Sequence, residues 1–358
     1  MATDSAGQQY DSLHESDASR NGTDGAAHAA NGGPELAPVP ETIWRPIRRS
    51  DLQLGVKDKI QFWLMIATLH VLSLMPDSVL AWLGVRAGRL VCRLDQRHTK
   101  IGMQNLAIAF PDKSEAERAA ILKASYENLG RTGAEYVRLG GFGWRRLRDR
   151  VGYENFQTWV GLQHRYRGKG ILVLTAHFGN FELLGPAHAM HGYQISLVHH
   201  TQRFLAGEAV MTFIRERAGV EIIRKHKAAR ILLRSLHKSQ LIGIPFDQNA
   251  KRSEATWVPF FDEPAATTTG VARVARISGA PVMPVFIVRQ PDMRTHKIVI
   301  FDEVHQQRTA DAEADAHENT ARFVKAVEEV VRQYPEQFLW IHRRYRTRPR
   351  GMAPIYDK

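Results

Sequence analysis

The chain has 358 residues, 44% of them hydrophobic, enough to bury the core of one large domain or two smaller ones. Its 49 Lys and Arg outnumber 37 Asp and Glu, and the net charge of +12 favours anionic partners: nucleic acid, acidic proteins, phospholipid surfaces or phosphorylated substrates. The single cysteine, Cys92, excludes an intramolecular disulfide and a cysteine-based zinc site, and its apolar surroundings predict a buried structural thiol.

Residues 1–43 are rich in Ala, Gly, Ser, Asp and Asn and poor in large apolar side chains, so they predict a disordered tail that also lacks the apolar centre of a signal peptide. Residues 44–95 follow as a helical segment. Arg45, Arg48, Arg49, Lys57 and Lys59 precede the run Ile60 to Met75, which contains no Asp, Glu, Lys or Arg and stops at Pro76-Asp77. As a helix this run spans about 24 Å, short of a hydrocarbon core of about 30 Å. A second apolar stretch, Val79 to Val91, is interrupted by Arg86 and Arg89, and basic residues flank both runs. The pattern fits helices lying in a membrane interface or dipping into one leaflet; the competing reading is a buried core helix.

Residues 96–350 carry the remaining elements. A long helix is predicted over Ser114 to Leu139, opened by the capping box of Ser114 and Glu117. Beyond Gly140-Gly141, strands Ile171–Thr175, Gln194–His199, Leu241–Phe246, Pro281–Val288 and Lys297–Phe301 alternate with helices Phe181–Met190, Glu208–Ala218, Ala228–His237, Thr269–Ser278 and Asn319–Tyr334. Alternation of this kind predicts an α/β fold, a largely parallel mixed sheet flanked by helices and preceded by N-terminal membrane-interfacial helices. Residues 351–358 form a short C-terminal tail.

Chemistry is concentrated where the first of these strands gives way to a helix, in Thr175-Ala-His-Phe-Gly-Asn-Phe-Glu182. Gly179 suits a tight turn and Asn180 an N-cap, which puts His177 in the loop beyond the carboxyl end of the strand. A wholly helical His177 and Glu182 would not share a face, but a loop His and a first-turn Glu can fold back into contact. Glu182 would then fix the imidazole tautomer and leave the other nitrogen basic, able to deprotonate an alcohol that attacks an acyl carbonyl. There is no Gly-x-Ser-x-Gly elbow, complete P-loop or His-Glu-x-x-His motif. The spacing alone is equally that of a structural histidine.

His177-Phe178-Gly179-Asn180-Phe181-Glu182 resembles the His-x4-Asp/Glu motif of glycerolipid-type acyltransferases, and specifically of the lipid A biosynthesis lauroyl/myristoyl acyltransferase family. Asn105 to Pro111, Asp247-Gln248-Asn249 with Val258 to Phe261, Gly279 to Val285, and Trp340 to Pro349 resemble other signatures of that family in the same order, over roughly residues 58–350. The resemblance implies transfer of a fatty acyl chain from an acyl thioester, carried by acyl carrier protein or coenzyme A, to a hydroxyl of a lipid A precursor. It implies His177 as general base oriented by Glu182, no metal or organic redox cofactor, and a place at the cytoplasmic face of the bacterial inner membrane.

Other polar residues enter as substrate-binding candidates. Asp247, Gln248 and Asn249 follow a strand end, where they suit an acceptor sugar or support of the catalytic loop, although Asp and Asn also simply make turns. Asn180 belongs to the motif itself. Arg343 and Arg344, in a basic run with Arg346, Arg348 and Arg350, offer planar donors for phosphate or carboxylate. Interleaved Trp340 and Tyr345 also permit single-stranded nucleic acid, but the apolar N-terminal segment favours an anionic lipid headgroup. One stretch departs from the family: Arg203 lacks the Pro and Asn expected around it, and an ungapped count back from Arg217-Ala218-Gly219 reaches His200 instead. The substrate contact there and the lipid A acceptor are thereby open. Alternatives are a lysophospholipid, aminolipid or other glycolipid acceptor, or a non-catalytic basic membrane or nucleic-acid binding protein. His188 and His191, three apart on a helix, have no third metal ligand evident nearby, and adjacent His199 and His200 point to opposite strand faces.

Overall fold

The structure, a computed structural model, describes residues 53–199, 201–224 and 228–357. The predicted tail over residues 1–43, the basic Arg45, Arg48 and Arg49, and His200 lie outside these. The chain enters through helices α1 (Val56–Leu72), α2 (Asp77–Leu94), α3 (Gln96–Ala109), α4 (Glu115–Gly140) and α5 (Trp144–Arg148). Strand β1 (Val151–Glu154) and helix α6 (Phe156–Arg165) precede an alternating series: β2 (Ile171–Thr175), α7 (Phe181–Met190), β3 (Ile195–His199), α8 (Leu205–Arg217), β4 (Val220–Arg224), α9 (Ala228–His237) and β5 (Leu241–Pro245). A hairpin of β6 (Ala255–Phe260) and β7 (Glu263–Thr268) follows, then α10 (Gly270–Ser278), β8 (Val282–Arg289), β9 (His296–Ile300) and α11 (Ala312–Gln333).

Seven strands form one sheet in the order β1-β9-β8-β2-β5-β3-β4. All neighbours are parallel except β8 and β9, which run antiparallel on either side of a short turn. Every residue of β2 is buried, as a central parallel strand covered on both faces requires. Alternation sends Leu172 and Leu174 into the core shared with α9, α10 and α11, and Ile171 and Val173 into the core shared with α6, α7 and α8. Cys92 is only partly buried, packed against the first of these cores. The protein is therefore α/β with a largely parallel sheet flanked by helices, as expected.

The predicted strand and helix positions recur with ends displaced by a residue or so, with α8 and α11 starting earlier. α11 begins at Ala312 because Asp311 caps it, its side chain accepting from the Glu313 and Ala314 N–H groups. The long α4 starts after Ser114, whose capping box forms as read from the sequence. Strands β1, β4, β6 and β7 have no counterpart among the predicted elements. β1 and β4 are short edge strands whose polar residues disguise them, and the β6–β7 turn rests on positive φ at Phe261 and Asp262.

α2 lies against α4 at backbone contact. A Cβ on Gly84 would stand 2.3 Å from the Gly130 carbonyl oxygen, and one on Gly130 2.0 Å from that of Gly84, so side chains would force the helices apart. α1 and α2 keep apolar side chains outward, with Ile60, Trp63, Leu64, Trp82 and Leu83 all exposed. Among the described residues no helix is long and apolar enough to cross a membrane. The C-terminal tail is anchored at Tyr356, which is buried and donates to Asn105 Oδ1 at 2.5 Å.

Candidate active site

β2 and β5 pair in parallel with Thr175 opposite Pro245. Two residues beyond that pair stand His177 and Asp247, so equal offsets from one register bring them together at the carboxyl edge of the sheet. His177 Nδ1 donates to Asp247 at 3.0 Å to Oδ1 and 3.1 Å to Oδ2. Asp247 is buried with its side chain 1% exposed, whereas the His177 side chain is 22% exposed, with Nε2 3.4 Å from the Gln248 amide nitrogen.

Burial disfavours the imidazolium, but the charge and hydrogen bond of Asp247 outweigh it, and the His177 pKa is raised. Burial likewise works against the Asp247 carboxylate, which the facing His177 nevertheless holds below its ordinary value. The pair has the orientation that makes one imidazole nitrogen a proton acceptor.

The loop bearing His177 is clamped from two sides. The His177 carbonyl accepts from the Leu339 N–H at 3.0 Å and the Gly179 N–H donates to the Gln337 carbonyl at 2.9 Å, while Asn128 and Thr132 of α4 donate to the Gly179 carbonyl. Gly179 has φ +58°, and a Cβ there would meet the Ile287 carbonyl oxygen at 1.8 Å, so no other residue fits. Asn180 caps α7 by accepting from the Leu183 N–H, and its Nδ2 donates to Glu135 Oε2 at 2.6 Å. Burial opposes the Glu135 charge, yet His296 and Arg289 hold its pKa down to about 2.

Glu182 does not fold back onto His177. The first turn of α7 carries it to Arg215 of α8, which donates to both carboxylate oxygens at 2.8 Å with both side chains largely buried. Arg215 also donates to His199, whose Nε2 donates to Glu208. The expected orienting contact is thus made by Asp247, and Glu182 acts on His177 only through space, adding to the rise that Arg215 opposes. A guanidinium offering two parallel donors outcompetes a single imidazole N–H for that carboxylate.

The remaining candidates divide. Arg344 is buried and donates to the Gln248 and Ala266 carbonyls and to Thr267 Oγ1, so it braces the Asp247–Asn249 loop from within the core. Asn249 is engaged by Thr347, and its N–H donates to His342 Nε2; burial lowers the His342 pKa to about 4, leaving it a neutral acceptor. Arg343 lines a basic pocket of about 370 Å³ with Arg97, His98 and Arg346. Arg203 is exposed on the segment after β3. His188 is buried, bonded to Tyr153 and stacked on Tyr193. Arg215, Glu135, Arg289 and Gln337 were not singled out in the sequence. Arg289 ends an otherwise apolar strand, whereas Arg215, Glu135 and Gln337 have polar residues beside them or on the same face, so their roles are legible only once the facing element is known. Asn105 joins the separate signatures, its amide donating to the Trp340 and His342 carbonyls.

Fold and site together put the protein in the class of α/β acyltransferases that carry a His-x4-Asp/Glu loop at the carboxyl edge of the sheet. Residues 50–347 match the family model described as bacterial lipid A biosynthesis acyltransferase. The chain belongs to that family. It is 29% identical to the lipid A biosynthesis palmitoleoyltransferase of Escherichia coli K12 over 308 residues, covering 83% of this chain and 95% of that protein. It is also 29% identical to the lauroyltransferase of the same organism over 299 residues, 82% and 94% of the two chains, and 24% identical to its myristoyltransferase over 296 residues, 83% and 90%.

Proposed function

We propose that the protein moves a fatty acyl chain from an acyl thioester to a hydroxyl of a lipid A precursor, with His177 as general base and Asp247 as the carboxylate that orients it. The observation carrying this reading is the Nδ1 hydrogen bond to buried Asp247, which leaves Nε2 as the accessible base. An acceptor hydroxyl that takes the place of the Gln248 amide gives its proton to Nε2 while its oxygen attacks the thioester carbonyl carbon. Asp247 stabilises the imidazolium that forms. Collapse of the tetrahedral intermediate breaks the carbon–sulfur bond, and the imidazolium returns the proton to the departing thiolate. The nucleophile comes from the acceptor, so no protein acyl intermediate is needed.

The acyl donor in this reading is acyl carrier protein or coenzyme A, and the protein works at the cytoplasmic face of the inner membrane. The exposed apolar side chains of α1 and α2 support a membrane surface as partner, since Trp63, Leu64, Trp82 and Leu83 gather on helices too short to span it. The test is acyl transfer by purified protein to a panel of lipid A precursors, lysophospholipids and other glycolipids. His177→Ala is expected to lower kcat/KM on the preferred acceptor by about 100-fold or more; unchanged transfer would overturn the mechanism, and preference for a lysophospholipid would overturn the acceptor.

A further inference from the structure

A cleft of about 700 Å³ opens between α2, α4 and the β8–β9 turn. Because β8 is parallel to β2 and lies on its other side from β5, this turn stands at the same carboxyl edge as His177, across from Asp247. Six arginines and three carboxylates line the cleft. Every carboxylate is already engaged. Asp77 is paired with Arg138 and Arg150, Glu135 with Arg289, and Asp292 accepts from the N–H groups of Arg294 and Thr295 within its own turn. Arg89 is paired with Glu127 outside the cleft. Arg86, Arg131 and Arg294 remain, and among the described residues none of them forms an ion pair.

Arg131 is the most informative of the three. It is half-buried on α4, where burial together with the Arg289 guanidinium depresses its pKa against the weaker opposing pull of Glu127 and Glu135, both of which are already bound to other arginines. Burying a charge without a partner is costly, and an arriving anion removes that cost. Guanidinium groups from three elements match the several oxygens of a phosphate better than a single carboxylate. Two further observations place the ligand. Trp82, which carries Arg86 over its ring at 5.3 Å, joins the cleft to the exposed apolar face of α2, so the anion can bring an acyl-bearing body with it. Glu135 forms part of the wall and also holds Asn180, the cap that follows the His177 loop.

We propose that this cleft binds a phosphate group of the membrane-borne acceptor through Arg131, Arg86 and Arg294, anchoring the acceptor while its hydroxyl reaches His177. The placement of the hydroxyl rests on the acyl-transfer reading above; the phosphate site itself does not. The thioester carrier also holds phosphate, as a phosphodiester in acyl carrier protein or a diphosphate in coenzyme A, and the experiment separates the two sources.

Steady-state kinetics are measured for Arg131→Ala and for Arg294→Ala, whose side chain is exposed and whose loss leaves the core untouched. The probes are a phosphorylated acyl-glucosamine disaccharide and its phosphatase-treated form. KM for the phosphorylated acceptor is expected to rise about 10- to 100-fold in Arg131→Ala and less in Arg294→Ala, with kcat nearly unchanged. KM for the thioester donor stays constant, and the dephosphorylated acceptor no longer distinguishes the variants from wild type. A rise in donor KM instead would assign the cleft to the carrier and overturn the proposal. An equal loss in Lys238→Ala, an exposed cation at the far edge of the sheet, would reduce it to general charge attraction and overturn it as well. Flotation of full-length His177→Ala with vesicles carrying either probe reads the site without turnover. Arg131→Ala in that background is expected to abolish the preference for the phosphorylated probe even if acyl transfer is found nowhere.

Discussion

Replacing Asp247 by Asn tests the dyad most directly, because it keeps the shape of the side chain and removes the charge facing Nδ1. At the observed contact of 3.0 Å the charge centres are about 4 Å apart, and attraction between them is about 4 kcal/mol at an effective dielectric constant of about 20. Desolvation of the buried pair takes back part of this, leaving about 2–3 kcal/mol by which Asp247 favours the imidazolium. The same margin holds Nδ1 protonated, so an amide that can turn its NH2 toward Nδ1 also promotes the wrong tautomer. Two consequences are expected in a pH profile of kcat/KM. In the wild type the acid limb lies above the ordinary histidine value of about 6.5, because the raised His177 pKa means the base is lost as pH falls through it. In Asp247→Asn burial acts nearly unopposed, the limb moves to lower pH, and the plateau drops about 10²- to 10⁴-fold. An acid limb and plateau unchanged in Asp247→Asn, with both moved in Glu182→Gln, would refute the assignment of roles.

Glu182→Gln should act mainly on stability. It leaves the largely buried Arg215 without its carboxylate and is expected to cost about 3 kcal/mol in denaturant unfolding, with part recovered in the double variant Glu182→Gln/Arg215→Met. Gly179→Ala places a methyl group against the Ile287 carbonyl and forces the loop to shift, so acyl transfer should fall at least 100-fold even where circular dichroism shows folded protein. Trp63→Glu combined with Leu64→Glu removes exposed apolar surface from α1 without touching the core. Vesicle co-sedimentation should weaken about tenfold or more while thermal unfolding stays within a degree or two, and unaltered sedimentation would exclude α1 from the membrane contact.

Much of the architecture was legible in local pattern. Ser114 and Glu117 announce α4, the apolar run Ile171–Thr175 is long enough only for a buried strand, and Asn180 marks the start of α7, because caps and periodicity act over three or four residues. The edge strands β1 and β4 escaped because a strand with one neighbour need not be apolar throughout, and the early start of α11 depends on a cap in a polar stretch. The placement of His177 in the loop between a strand and a helix was legible too, from the apolar run before it and the Gly179-Asn180 turn after it.

Its partner was not. Sequence proximity pointed to Glu182, five residues on, whereas the carboxylate that meets the imidazole comes seventy residues later. Local sequence determines which segments form helices and strands and which loop carries the histidine, since those preferences are settled by neighbouring residues. Only the tertiary structure decides that β5 lies beside β2 in a register placing Asp247 opposite His177, that Arg215 captures Glu182, and that three arginines on separate elements face one cleft. Strand order and helix packing are chosen by burial of the whole core, a property that no single stretch of the chain contains.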